Sequence, residues 1–138
     1  TGSPPMNFAP CRIGEGGRVL HVAGGVDLPV PARCVDECAR HIGREVIFGL
    51  RPEHIGVPTV DAPGIERIDG SVLLVEPLGA ETLGLIKLGK HDKAAEVTGR
   101  FEPDAHLQVG QNLPIALDLN HFHLFDCKTG LAIRGNGW

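Results

Sequence analysis

Aromatic side chains and positive charge are both scarce in this sequence of 138 residues. It has five phenylalanines, one tryptophan and no tyrosine, whereas proteins that hold single-stranded nucleic acid stack its bases on aromatic rings. Its 13 Lys and Arg residues stand against 17 Asp and Glu residues, which gives a net charge of −4. Binding driven by phosphate contacts normally requires a basic surface. The composition therefore predicts that nucleic acid is not a partner.

Long apolar runs are missing as well. No stretch approaches the ~18 residues of a membrane-spanning helix, and the first residues lack the charged and apolar regions of a secretory signal. The chain has 19 glycines and 11 prolines, too many for a helical bundle, so we expect many turns. Because it begins with Thr1 rather than methionine, we expect it to be a fragment of a longer polypeptide.

Motifs for nucleotide binding or covalent catalysis are also lacking. No glycine-rich loop precedes a Lys with Ser or Thr, so the chain has no phosphate-cradling loop of its own. Ser3 and Ser71 are the only serines, and neither lies in the strand-to-helix elbow that exposes a nucleophilic serine. From these residues we assign no catalytic residue and no cofactor.

Four cysteines are too few and too unevenly spaced for a secreted disulfide framework. Cys34, Cys38 and His41 would share one face of a helix, and Cys11, Cys127 or His21 could add a fourth zinc ligand. The C-x2-C spacing typical of zinc sites is absent, and cysteine is among the most buried residue types. We interpret Cys34 and Cys38 as core residues and predict no metal site.

His121 and His123 lie two residues apart and would face the same side of a strand. That is the geometry of a possible pair of metal ligands, but no third His and no carboxylate pair is evident nearby. We interpret both as solvated or structurally hydrogen-bonded histidines.

What the chain does contain is a series of short apolar strand patterns separated by glycine and proline turns. One helix is predicted over residues 32–42 and an exposed loop over residues 57–65. The pattern indicates an all-β fold, mainly antiparallel, either a barrel or a sandwich. The predicted strands are residues 7–13, 18–22, 26–30, 46–51, 68–75, 82–88, 94–100, 113–119, 123–125 and 131–133.

Charged residues crowd at the end of one predicted strand, in Arg51-Pro52-Glu53-His54. Two interpretations remain open for this corner. Arg51 and Glu53 could form a surface ion pair beside a turn, which contributes at most about 1 kcal/mol. Alternatively, the corner is a docking surface in which a guanidinium group fixes the geometry.

This corner resembles the R-P-E-H motif of the TOBE (transport-associated OB) domain. That domain is the C-terminal regulatory region in ATP-binding subunits of maltose-type and glycerol-3-phosphate-type ABC importers. Four further stretches resemble the family in the same order and cover most of the chain. They are residues 2–8 (GSPPMNF), residues 75–81 (VEPLGAE), Phe101 and Pro103 before Gly110, and residues 123–130 (HLFDCKTG).

The resemblance implies an OB-like barrel of short strands with one short helix. Residues 1–8 would be a tail leaving an ATPase domain, and residues 9–138 would be the regulatory domain. ATP and magnesium would bind only in that ATPase domain. The implied location is cytoplasmic, peripheral on the inner face of a bacterial inner membrane.

The resemblance also implies partners and a function. The partners would be the chain's own ATPase domain, a second copy of the subunit in a homodimer, and the membrane subunits. The function would be non-catalytic regulation and dimerisation in the uptake of sugar or glycerol phosphate. The residues expected to carry interactions or regulation are Arg51, Pro52, Glu53, His54, Glu76, Leu78, Gly79 and Glu81.

An alternative function is that of a free-standing barrel that binds a small ligand, either an oxyanion or a metal. TOBE-like barrels of related importers bind oxyanions such as molybdate at a barrel interface. Such a site would be rich in backbone N–H groups and hydroxyl donors, and few hydroxyl side chains lie near the predicted strands and turns. The regulatory domain is therefore the leading interpretation.

Overall fold

Two five-stranded antiparallel sheets form the fold in a computed structural model, which describes residues 4–135 and residue 138. The first sheet has the order β10-β4-β1-β2-β3, and the second has the order β5-β9-β6-β7-β8. The strands are β1 (Asn7–Ile13), β2 (Val19–Val22), β3 (Val26–Pro29), β4 (Glu45–Leu50), β5 (Ile55–Gly56), β6 (Ile65–Pro77), β7 (Thr82–Leu88), β8 (Glu96–Phe101), β9 (Asn112–Asp118) and β10 (His123–Asp126).

The two sheets share one apolar core because their strands alternate between inward and outward side chains. In β9, Ile115 and Leu117 are buried while Asn112 and Pro114 are exposed. The core unites residues from both sheets in one cluster. The predicted all-β, mainly antiparallel fold is confirmed.

The second sheet curls until its two edge strands, β5 and β8, nearly meet. A Cβ atom on Gly99 would lie 3.0 Å from the carbonyl oxygen of Ile55, and one on Gly56 would lie 3.0 Å from that of Arg100. Glycine within a strand commonly marks such a close approach of two backbones. The sheet is thus a nearly closed barrel, in agreement with the predicted OB-like fold.

The predicted helix is shorter than residues 32–42. A 3-10 turn (Ala32–Cys34) leads into α1 (Val35–Ala39). The predicted stripe placed Ile42 on the buried face, but its side chain is 49% exposed. The helix ends early because the N–H groups of Arg40 and His41 bond three residues back, and Gly43 then adopts a positive φ of 77°.

The largest differences among the predicted strands are at β6 and at residues 131–133. β6 begins at Ile65 and runs to Pro77, because β9 pairs with residues 65–71 and β7 pairs with residues 70–77. Residues 131–133 do not form a strand, since Ala132 makes only an isolated bridge to Phe125. No helix in the described residues is long and apolar enough to cross a membrane.

Part of the predicted tail falls within this fold. Residues 1–3 lie outside the described residues, whereas Asn7 and Phe8 are the first two residues of β1. The division into residues 1–8 and 9–138 stays a prediction.

Candidate functional site

The Arg51–His54 corner is a rigid turn after β4. Arg51 is extended, with φ −78° and ψ 151°, the conformation favoured before a proline. Pro52 is buried at the start of a 3-10 turn, and the His54 N–H donates to the Arg51 carbonyl oxygen at 2.9 Å. Glu53 is exposed and His54 is half-buried. The ion pairs among the described residues do not include one between Arg51 and Glu53, so the simple surface pair is not found.

The second predicted corner closes the β6–β7 hairpin. The Leu78 N–H donates to the Glu81 carbonyl oxygen at 2.8 Å, and Gly79 has a φ of 84°, which favours glycine. Glu76 and Leu78 are exposed. The Glu81 carboxylate lies 2.6 Å from Nε of Arg100 in β8, a close ionic contact in which the N–H is not aligned for a hydrogen bond.

The two corners meet at one open cavity of about 870 Å³, whose wall includes Glu53, His54 and Glu81. We call it the acidic cavity, because five carboxylates face one arginine in its lining. The charged lining residues are Glu53, Glu81, Glu102, Asp104, Asp118 and Arg100. Of the eight candidate residues, Glu53, His54 and Glu81 line this cavity. Glu76, Leu78 and Gly79 lie outside its lining.

A smaller cavity of about 330 Å³ lies on the other side of Glu53 and His54, which line both cavities. We call it the basic cavity, because Arg33, Arg51 and Arg134 line it together. The corner that begins at Arg51 therefore separates two surfaces of opposite charge. Pro52, buried at the base of this corner, lines neither cavity.

Two histidines stack where the cavities meet. The rings of His54 and His121 have centroids 4.2 Å apart and are inclined by only 8°. Nε2 of His121 lies 3.7 Å from Oδ2 of Asp118. Burial, followed by the positive charge of His121, lowers the pKa of His54 below its ordinary value. The partner of His121 is thus His54, whereas the ring of His123 stacks on Phe125.

The pairing of β5 with β9 explains this arrangement. Ile55 lies opposite Leu117 in antiparallel register, which places His54 beside Asp118. Sequence reasoning missed Asp118 and Arg100 as members of the site. The sequence does contain a signal for Asp118, because Asp118 and His121 have an Asp-x-x-His spacing. That spacing does not reveal His54, which is distant in sequence.

The cysteine cluster lies inside the core. Cys34 and Cys38 have no exposed surface, and Cys11 is also buried. Burial raises the pKa of Cys38 to about 12 and that of Cys11 to about 12, which disfavours the thiolate needed to bind a metal. His41 instead lies 3.2 Å from Oε2 of Glu37. These positions support the interpretation of the cysteines as core residues.

The structure therefore defines a class of protein: an OB-type barrel that has a charged corner between two cavities. The TOBE domain family model matches residues 48–125, and the MalK OB fold domain model matches residues 2–55. The chain belongs to the TOBE domain family, in the form that occurs in ATP-binding subunits of ABC importers for sugars and glycerol phosphate.

Several curated relatives are similar over nearly the whole chain. The sn-glycerol-3-phosphate import ATP-binding protein UgpC of Bordetella pertussis is 33% identical over 97% of this chain and 35% of its own length. UgpC of Burkholderia pseudomallei is 36% identical over 94% of this chain and 34% of its own. The sulfoquinovosyl glycerol transport ATP-binding protein SmoE of Agrobacterium fabrum is 37% identical over 96% of this chain and 35% of its own. The chain thus spans about one third of the relatives that it matches.

One solved structure resembles the fold. The cytoplasmic molybdate-binding protein ModG, in a form with molybdate bound, matches with a TM-score of 0.59 over 90% of this chain and 96% of that chain. Since the two sequences are only 12% identical, the likeness establishes a shared fold and nothing about ligands.

Proposed function

We propose that this chain is a non-catalytic regulatory and dimerisation domain of an ABC importer ATPase that drives uptake of a sugar or glycerol phosphate. The observation that carries the proposal is the match of 94–97% of this chain to one third of proteins named as import or transport ATP-binding proteins. The remaining two thirds of such a protein would hold the ATP and magnesium sites. The chain by itself would not hydrolyse ATP.

The partners follow from the same organisation. The domain would pack on its own ATPase domain and contact a second copy of the subunit across a two-fold axis, where the same surface patch serves both subunits. The ATPase domain would in turn contact the membrane subunits. The assembly would lie on the cytoplasmic face of a bacterial inner membrane.

We place the regulatory surface at the acidic cavity, because Glu53 and Glu81 come from the two corners and line it together. Glu53 is exposed, and Glu81 is paired with Arg100 but partly exposed, so a partner could reach both carboxylates. Charges at the rim of an interface set partner choice and the rate of association. Loss of these two charges should therefore change regulation more than ATP hydrolysis.

The test replaces Glu53 and Glu81 by alanine in the full-length subunit. We expect ATP hydrolysis to persist. The ratio of substrate uptake between the two growth conditions should change about fivefold or more, which is the usual scale of a coupling between sites. Uptake is measured in intact cells grown with and without alternative carbon and phosphorus sources, using whichever substrate cells with the unaltered subunit import, a sugar or sn-glycerol 3-phosphate. Glu15→Ala, in an exposed turn outside both cavities, is the control. If cells with Glu53 and Glu81 replaced by alanine show the same uptake and the same regulation as the Glu15→Ala cells, the acidic cavity is not the regulatory surface.

A further inference from the structure

Three residues with metal-binding side chains lie close together at the ridge between the acidic and basic cavities, which is the surface around His54. His54, His121 and Asp118 each offer one ligand atom, and these three atoms all lie within 4.8 Å of one another. In the part of the chain that the structure describes, no other group of three His, Cys, Asp or Glu residues meets this criterion. We propose that these residues bind a divalent transition metal ion of the zinc class.

The ligand types select this class of ion. Imidazole nitrogen suits zinc, copper and nickel, whereas calcium and magnesium prefer shells made of oxygen. Two histidines and one carboxylate form a three-residue ligand set that leaves a fourth position for water. Bonds of about 2.0–2.2 Å would require the three atoms to close by roughly 1 Å. The His121 ring would also have to turn out of its parallel stack with His54, because imidazole lone pairs lie in the ring plane and two parallel rings cannot both direct them at one ion. The His121 side chain is 56% exposed and has room to make that adjustment.

The carboxylate of Asp118 is already oriented for this role. Its Oδ1 accepts hydrogen bonds from the backbone N–H of Asn120 at 3.1 Å and from the Asn120 side chain at 3.0 Å. Its Oδ2 is the atom that faces His121. Hydrogen bonds that hold one oxygen and leave the other for the ion are the usual outer-shell support of a metal ligand.

The backbone positions of the ligands are also fixed. His54 lies in the 3-10 turn closed by its own N–H, and Asp118 ends β9. His121 lies in a second 3-10 turn, whose first residue, Leu119, donates its N–H to the Gly64 carbonyl oxygen at 2.7 Å. Only side-chain movement is then needed to gather the three ligand atoms.

The charges around the ridge define the side from which a cation approaches. The acidic cavity presents five carboxylates against Arg100, which favours a dication there. On the other side, Arg33, Arg51 and Arg134 line the basic cavity. The Arg33 guanidinium is directed to the Asn120 carbonyl oxygen, at 2.6 Å. The open coordination position would therefore face the acidic cavity.

Calorimetric titration of the untagged chain with zinc chloride tests the proposal. The background carries Cys127→Ser, because Cys127 is an exposed thiol that could bind zinc by itself. We expect one equivalent of zinc to bind. His121→Gln and Asp118→Asn should each weaken binding by about tenfold or more. Cobalt chloride provides a second readout, since cobalt held by these residues would give visible absorption bands that both variants lose.

His106→Asn is the matched control, since it also removes one exposed imidazole. His106 has a φ of 52°, a left-handed conformation in which asparagine is well tolerated. This variant should bind zinc like the parent. His121 is exposed and Asp118→Asn preserves side-chain shape, so both test variants should fold, as checked by thermal unfolding. The proposal is overturned if zinc fails to bind, or if both test variants bind it as tightly as His106→Asn does.

Discussion

Replacing Phe122 by alanine should lower the free energy of unfolding by about 3–5 kcal/mol, the usual cost of deleting a buried phenyl ring. Phe122 is 1% exposed. Its ring stacks on Phe48 of β4 at a centroid distance of 6.1 Å, and it contacts the ring of Trp138 at 4.9 Å. Because a domain of this kind has a total stability of about 5–15 kcal/mol, the loss is a large part of it. Denaturant unfolding of the isolated chain measures the change.

Phe8→Ala is the matched control for this prediction. Phe8 is 59% exposed on β1, and among the described residues its ring contacts one other ring, that of Phe125, edge-on. Its removal should cost about 1 kcal/mol or less, because little apolar surface becomes newly exposed. Equal losses in the two variants would contradict the role of Phe122 as a buried ring that packs on both Phe48 and Trp138.

Asn7→Ala should cost about 2–3 kcal/mol, because this side chain joins the two sheets. Its Nδ2 donates to the carbonyl oxygens of Leu50 at 3.0 Å and Thr98 at 2.9 Å, and its Oδ1 accepts the Thr98 N–H at 2.7 Å. β1 and β4 belong to the first sheet and β8 to the second. Alanine would leave the partly buried Thr98 N–H without its partner, which is the costly part of such a loss.

Asn112→Ala is the corresponding control, measured in the same unfolding experiment. Asn112 is exposed, and its side chain accepts one hydrogen bond, from the Ser71 hydroxyl at 2.8 Å. Water can replace that bond, so the expected cost is about 0.5 kcal/mol or less. If Asn7→Ala also lowers the free energy of unfolding by only about 0.5 kcal/mol or less, that result would contradict the role of Asn7 as the link between the sheets.

The strands were predictable where a local pattern specifies them. Residues 82–88 and 115–119 alternate between buried and partly exposed positions, and this period of two needs no knowledge of the partner strand. The helix was predicted too long, because its apolar stripe continues to Ile42 although the backbone hydrogen bonds change to a three-residue spacing at Arg40 and His41. A local pattern therefore shows the kind of element better than it shows where that element ends.

The site was predictable only in part. The Arg51–His54 corner is continuous in sequence, so its crowding of charge is visible without a structure. The meeting of His54 with Asp118 depends on β5, a strand of only two residues that is too short to leave a pattern. The pairing of Glu81 with Arg100 likewise depends on how β7 and β8 align. Such contacts between distant residues require the register of the sheet.

The apparent size of the native polypeptide tests the central claim most directly. An antibody raised against this chain of 14.7 kDa would detect the polypeptide in an extract of its source cells. Because the chain spans about 35% of the relatives that it matches, the account predicts a band close to three times that mass. A band at 14.7 kDa would contradict it and indicate a free-standing barrel.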